Sequence, residues 1–394
     1  MNGQMIALGD LFRVGSSKRV LKSQWKTEGV PFYRGREITR LAADGFVDNE
    51  LFISEDHFAE LAAQYGVPKA GDIVITAIGT IGNSHIVRDS DRFYFKDASV
   101  LWLKRTNVVS SDFINLWLKS PLFFDQLDKG KGATVDTLTI QKLQNVQLNV
   151  PPLPEQRRIV SLLDEAFAHI ATAKANAEQN LQNARAVFDS HLQSVFKQQS
   201  KVCTEKLLAD VAEVQSGGTP LVSDKRFWGG DIAWYSSGEL NKTFTQNPER
   251  HATQLKIDSS NAKLFAKGSL LAGMYDTAAL KMSILDRPAA FNQAIAGIKP
   301  NDEIDLLFVM HAINAVKPRL LLERRGVRQK NLSLGKIKEI SIPFPAVKEQ
   351  QAVVSRLQLI GSETQRLESI YQQKLSALDA LKKSLLHQAF SGQL

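Results

Sequence analysis

From Pro151 to Lys197 the apolar positions fall at Ile159, Leu163, Ala166, Ile170, Ala173, Ala177, Leu181, Ala184, Phe188, Leu192 and Val195, and no glycine or proline follows Pro154. Steps of three and four keep one stripe on one face of an α-helix. The lead-in, Pro151-Pro152-Leu153-Pro154, is proline-rich. At 1.5 Å per residue, about 45 residues make a rod of roughly 65 Å, longer than one globular domain. A helix so narrowly striped needs a partner, because its stability in water comes mostly from burying the apolar face. A second stripe supplies one, at Val353, Leu357, Ile360, Leu367, Tyr371, Leu375, Leu378, Leu381, Leu385 and Ala389. Glu349-Gln350 stands 194 positions after Glu155-Gln156, and the same offset joins Leu163 to Leu357, Leu181 to Leu375, Ser190 to Ser384, Leu192 to Leu386 and Phe196 to Phe390. The chain is a duplicated unit.

The segments ahead of each helix read as mixed α/β. Extended candidates in the first are Asp72 to Ile78, His85 to Val87 and Ala98 to Leu103, rich in β-branched or aromatic residues and bounded by glycine or charge. Helices are expected at Glu55 to Tyr65 and Asp112 to Leu118, the latter behind the cap candidates Ser110 and Ser111. The second segment repeats the order in drifted form. Val30 to Ile38 answers to Ile232 to Leu240, Ala70 to Val74 to Lys267 to Leu271, and Leu138 to Leu143 to Leu332 to Ile337. Both segments then reach a short strand and a proline turn, Val146 to Pro151 and Ile340 to Pro345. The division is therefore 1–150 and 202–345 for the two globular domains, with spacer helices over 151–201 and 346–394. The helices align without a gap while the loops of the domains differ. Loops on a rigid frame are where recognition usually resides, so these carry what distinguishes the halves, unless they record drift alone.

Composition narrows the class. The 394 residues are 43% hydrophobic, enough for substantial cores. Cys203 is the one cysteine, which excludes a disulfide framework and a cysteine-cluster zinc site and is what a reducing compartment permits. No basic segment followed by an apolar core opens the chain, and no run of about 18 apolar residues occurs, so a soluble cytoplasmic protein is expected. A net charge of +8 and a pI near 9.3 are compatible with a polyanionic partner.

The chain carries several false leads to catalysis. Lys129 to Thr134 lacks the first glycine and the closing Ser or Thr of a phosphate-binding loop, and Gly79-Thr80-Ile81-Gly82 lacks the spacing of a dinucleotide fold. No His-Glu-x-x-His is present, and the histidines are scattered singly. Asn149-Val150-Pro151-Pro152 only mimics the tetrapeptide of an adenine amino methyltransferase, which has an aromatic residue after two prolines.

The residues carry one family resemblance. Val150-Pro151-Pro152-Leu153-Pro154-Glu155-Gln156-Arg157-Arg158-Ile159-Val160 and Ile342 to Gln351 resemble the segments that follow each target-recognition domain in the specificity subunit of type I restriction-modification systems. Ser216-Gly217-Gly218-Thr219-Pro220, Phe227 to Trp234 and Phe291-Asn292-Gln293-Ala294 are similar to that family as well. The first domain departs from it with Val14-Gly15-Ser16-Ser17-Lys18-Arg19 in place of the Gly-Gly-Thr-Pro stretch, and Met274 to Ala278 replaces the Gly-Thr-Ile-Gly kept at Gly79 to Gly82.

The resemblance implies an α+β chain in which two mixed α/β target-recognition domains alternate with two long helices packed as an antiparallel coiled coil, an internal duplication with pseudo-twofold symmetry. It implies a non-catalytic reader of double-stranded DNA, each domain taking one half of a bipartite site and the helices acting as a ruler. Half-sites about one helical turn apart, roughly 34 Å, suit such a spacer. Two modification subunits holding S-adenosylmethionine would clasp the helices, and restriction (motor-nuclease) subunits using ATP and Mg would join them. This chain would need no cofactor or metal, and no membrane. Flipping of the target adenine would occur in the partner's pocket.

In DNA readers, cations on phosphates supply affinity and side chains at base edges supply choice. Candidate contacts in the first domain are Lys18, Arg19, Lys22, Arg34, Arg36, Thr80, Asn83, His85, Lys129, Lys131, Thr134 and Thr137. In the second they are Thr219, Lys225, Arg226, Tyr235, Ser236, Tyr275, Thr277, Lys281, Arg328, Gln329 and Lys330. Val160, Leu162 and Phe167 either face partner subunits or widen the seam of the helix pair. Gly361 inside a helix costs about 1 kcal/mol relative to alanine, which suggests close approach of another chain. Two other readings compete: a self-contained DNA methyltransferase, and a coiled-coil scaffold that binds no DNA. The duplication further implies that either half, if it dimerises through its helix, reads its own half-site twice.

Overall fold

The computed structural model describes residues 3–127, 137–219, 223–275, 279–323 and 332–394. Two compact units form, and they do not follow chain order: one joins Met1–Glu178 to Gln373–Leu394, the other is Gln179–Gln372. Each therefore holds one globular domain together with a portion of both long helices.

In the first unit an antiparallel sheet runs in the order Phe12–Gly15, Val100–Arg105, Ile73–Thr76, Ser84–Ile86. Ile73–Thr76 is buried at all four positions. A strand covered on both faces needs no polar alternation, which is why it reads as an unbroken β-branched run. Ile73 and Ile75, with Leu101 and Leu103, pack toward Ile159, Leu163, Leu386, Ala389 and Phe390 of the long helices. Val74, Val100 and Trp102 point to the other face, against Ile38, Phe93 and Phe95. A second sheet places Val30–Tyr33 between Phe52–Ile53, antiparallel, and Tyr94–Phe95, parallel. Gln4–Ala7 pairs with Gln147–Val150 just ahead of the central helix.

The second unit repeats this topology strand for strand. Its four-stranded sheet is Val214–Ser216, Ile295–Ile298, Leu270–Gly273, Met282–Ile284, and its three-stranded sheet sets Trp228–Tyr235 between Arg250–Ala252, antiparallel, and Ala289–Phe291, parallel. Glu205–Leu207 pairs with Ser341–Pro343. Leu270, Ala272, Met282 and Ile298 pack with Leu192, Phe196, Val354 and Leu357. Gly71 and Gly268, matched by sequence, share a left-handed backbone, φ +85° and +87°. Of the helices expected in the first domain, Glu55–Tyr65 forms as read and the other is Ser111–Trp117, with Ser110 alone as its cap, accepting the N–H of Phe113 at 3.3 Å. After the strand Val30–Tyr33 comes a helix, Gly35–Asp44, whereas Trp228–Tyr235 is followed only by a 3₁₀ turn, Ser237–Glu239.

The long helices span Leu153–Val202 and Val347–Ser391. They pack antiparallel in each unit, since Ile159 and Leu163 meet the C-terminal Leu386–Phe390 segment and Leu192 and Phe196 meet Val354 and Leu357. The first stripe is buried or half-buried at every position and is extended by Phe196. The second stripe needs correction: Leu367 and Leu381 are 36% and 46% exposed, while Thr364 is 7% exposed and Glu368 is half-buried. The seam admits polar residues there because each finds a bond, Thr364 Oγ1 donating to the carbonyl of Ile360 at 2.8 Å and Glu368 accepting from Arg185 at 3.1 Å. Val160 and Phe167 widen the seam, packed against the first core, while Leu162 stays 40% exposed. The close neighbour of Gly361 is the same chain's Phe188, whose ring carbon would lie 3.4 Å from an added Cβ.

Candidate nucleic-acid interface

In the first domain the chain leaves the strand Val30–Tyr33 into a turn organised by one carboxylate. Glu37 is fully buried and accepts the backbone N–H of Arg34 at 2.9 Å, the Arg34 guanidinium at 3.1 and 2.8 Å, and Arg36 at 3.0 Å. Burial pushes its pKa up, but the bonds from Arg34 and Arg36 outweigh that and hold it down at about 2. Arg36 also reaches Glu50 at 2.8 Å. The start of the helix Gly35–Asp44 lies close to the 76–83 hairpin, where Gly79 and Gly82 adopt positive φ. At Gly82 an added Cβ would sit 2.6 Å from the Phe124 ring, which would have to shift, on a backbone at φ +93° that favours glycine. Asn83 Nδ2 donates to Thr39 Oγ1 at 3.2 Å, and Thr39 and Thr80 hydroxyls are 3.1 Å apart. Thr137 bridges to Ile78, and the N–H of Leu138 donates to the carbonyl of Ala77 at 2.8 Å. Arg34, Arg36, Thr80, Asn83 and Thr137 thus gather at one corner, at a helix N-terminus that favours anions.

Lys18 and Arg19 lie exposed on a different loop. It is fixed by the Lys18 N–H donating to Tyr94 Oη at 3.0 Å and by Ser17 Oγ donating to the Phe95 carbonyl at 2.6 Å. Lys18 Nζ stands 5.5 Å from the Tyr65 ring centroid, and Lys22 opens an exposed 3₁₀ turn. His85 is a correction: its ring is 5% exposed and its Nε2 bonds Asp91 at 2.8 Å, so the ring is turned inward and that nitrogen is engaged. Asp91 is in turn held by the backbone N–H of Arg88 at 2.9 Å.

The second domain builds the same corner with other side chains. Glu239 accepts the N–H and hydroxyl of Ser236 at 2.7 and 2.8 Å and the N–H of Glu249 at 2.9 Å. Asn241 follows it, and Lys281, on the hairpin after Leu270–Gly273, donates to Asn241 Oδ1 at 3.3 Å. The N–H of Leu332 donates to the carbonyl of Met274 at 2.8 Å, the counterpart of the Leu138 bond. Lys317 donates to the carbonyl of Leu280, a buried leucine at φ +54°, at 2.7 Å and so braces this hairpin from below. Tyr235 is the second correction: it is buried, and its hydroxyl donates to the carbonyl of Gln246 at 2.7 Å. Tyr275 is 37% exposed, Thr219 bonds Gln293, Lys225 is exposed, and Arg226 is clamped to Asp224 at 2.7 and 3.0 Å. Surface pairs of this kind are worth little. Lys129, Lys131, Thr134, Thr277, Arg328, Gln329 and Lys330 lie outside the described residues.

In the same domain Lys256 is fully buried, its Nζ 3.0 Å from the Trp228 ring centroid and 4.4 Å from that of Trp234. Burial, then the charge of Arg250, lowers its pKa to about 8. The two rings replace a hydrogen-bonded partner with their π-faces.

The family model for the type I restriction modification DNA specificity domain matches residues 2–183 and 203–376. The chain belongs to that family. A putative type I restriction enzyme specificity subunit of Haemophilus influenzae is 34% identical over 163 residues, which cover 41% of this chain and 40% of that protein. The match thus spans about two-fifths of that relative's length. The HsdS subunit of Thermoanaerobacter tengcongensis shares the fold with a TM-score of 0.66 at 16% identity, over 99% of this chain and 97% of the other. A chain solved in work on complex assembly and conformational transition of the type I R-M system does so with a TM-score of 0.77 at 16% identity, over 100% and 99%.

In this specificity-domain chain, sequence reasoning missed Thr39, Asn241 and Lys317. Thr39 supports Thr80 and Asn83, Asn241 supports Lys281 and Lys317 supports Leu280, and no periodicity or motif marks them. Glu37 and Glu239 had a usable signal, since both lie four residues after a matched tyrosine, Tyr33 and Tyr235. Among the described residues no helix is long and apolar enough to cross a membrane.

Proposed function

We propose that this chain is the DNA-reading subunit of a type I restriction-modification assembly. Each globular domain reads one half of a bipartite site in double-stranded DNA, and the helices set the spacing. The chain has no catalytic role of its own. Two modification subunits with S-adenosylmethionine dock on the helices, and motor-nuclease subunits using ATP and Mg join for cleavage, all in the cytoplasm. The single observation that carries this reading is one topology built twice with different polar side chains at the same corner. A duplicated frame with exchanged donors is what two different half-sites require.

Genome-wide mapping of methylated adenines in cells that express the chain with its modification subunits tests it. A motif of two unlike half-sites separated by a fixed number of unspecified base pairs is expected. A contiguous palindrome, or methyl transfer by the purified chain alone, overturns it.

A further inference from the structure

In each unit the first turn of the long helix carries a buried glutamine whose amide is bonded on both edges. Gln156 is 2% exposed; its Nε2 donates to the carbonyl of Pro151 at 2.8 Å and its Oε1 accepts the N–H of Ser110 at 2.9 Å. Gln350 is 0% exposed; it donates to the carbonyls of Pro345 at 2.9 Å and Glu303 at 3.1 Å and accepts the N–H of Asp305 at 2.9 Å. The partners correspond. Pro151 and Pro345 lie between the last strand of each domain and its long helix. Ser110 and Asp305 each cap a domain helix, Ser110 accepting from Phe113 at 3.3 Å and Asp305 from Leu307 and Phe308 at 2.8 and 3.1 Å.

A planar amide used this way fixes three segments at once: the end of the domain, the start of the spacer helix and the cap of a helix within the domain. Glutamate lacks the donor, lysine lacks the acceptor, and asparagine is one methylene too short to span the same partners. Removing the amide strands a buried N–H and a buried C=O, which native structures avoid. The two copies keep this arrangement although the helices they cap, Ser111–Trp117 and Leu306–Glu323, differ in length and sequence.

We infer that Gln156 and Gln350 are the joints that hold each recognition domain at a fixed angle on its own helix. They are therefore positioning residues for the number of base pairs between the half-sites. The inference rests on the bipartite reading proposed above. One base pair of spacer shifts a half-site by about 3.4 Å and turns it by roughly 35°, so a joint that gives way admits spacers one base pair off.

The test is adenine-methylation mapping in cells carrying the modification subunits with the wild-type chain, Gln156→Met or Gln350→Met. A wild-type motif with no fixed spacer sinks the bipartite reading itself. With a fixed spacer in the wild type, the joint predicts that either variant methylates the same half-site bases, while the share of methylated sites with a spacer one base pair off rises about tenfold. An unchanged spacer profile at wild-type methylation levels overturns the joint. If a variant methylates nothing, hydrogen exchange of the intact wild-type chain decides. Ser110 and Asp305 amides protected like the core of the long helices support the joint, and amides that exchange at loop rates refute it.

Discussion

The helix seam of the first unit and that of the second use the same positions with opposite furnishings. Offsetting by 194 residues carries Lys174 onto Glu368 and Asp379 onto Arg185. In the first unit Lys174 pairs with Asp379; in the second, Arg185 pairs with Glu368. The cross-link is kept and its polarity reversed. The same offset carries Phe167 onto Gly361 and Phe188 onto Lys382. Phe167 lies beneath Lys382, with Nζ 4.8 Å from the ring centroid, whereas Gly361 makes room for Phe188. Both rings belong to the helix Leu153–Val202, and its partner answers with Gly361 and Lys382 at the matched positions. The two seam halves are therefore complementary rather than interchangeable. Two copies of the first half, paired in the same register, would set Lys174 against Arg185 and Phe167 against Phe188; two copies of the second would oppose Glu368 and Asp379. The complementarity bears on the condition attached to the symmetric-site expectation, that a half dimerise through its own helix, because like charges and two rings would then meet in the seam.

The largest effect should come where the two seams agree. Phe196 packs on Phe308 with centroids 5.2 Å apart, and its counterpart Phe390 packs on Phe113 at 5.1 Å. Phe196→Ala and Phe390→Ala should each cost about 3–5 kcal/mol in chemical denaturation. A negligible cost for one of them would break the equivalence. Where the seams differ in sign, Lys174→Asp should lower the denaturation midpoint slightly by opposing two carboxylates, and the double variant Lys174→Asp with Asp379→Lys should recover it. Failure of the double variant to recover would mean the pair is incidental. The smallest change is at Gly361. Gly361→Ala should stabilise by up to about 1 kcal/mol through helix propensity, since the new Cβ meets only the edge of Phe188. A fall in melting temperature would show that the Phe188 ring cannot shift.

The duplication and both helices were legible because they rest on periodicity and offset, which survive drift. The strands of the central sheet were legible for a related reason, a run such as Ile73-Val74-Ile75 having few alternatives. The second stripe went astray at Leu367 and Leu381 because hydrophobicity ranks leucine above Thr364 and Glu368, while the seam selects by direction and by available bonds. The corner was legible only in part. Arg34, Arg36, Thr80 and Asn83 do converge, but residue type could not reveal that His85 is tied to Asp91 or that Tyr235 turns inward to Gln246. Those outcomes depend on contacts between residues that pattern does not link. The glutamines at 156 and 350 were visible as part of a motif, but their buried bonds were not.

The interleaving of the units has a consequence for biosynthesis. Gln179–Gln372 is a continuous stretch, complete on the ribosome before the segment from Gln373 onward is made. The first domain, although translated earliest, waits for Leu386, Ala389 and Phe390 to finish its core. Until then Ile159 and Leu163 lack part of their apolar cover, a state open to chaperones and to misassembly with another nascent chain. The half made first is the half completed last.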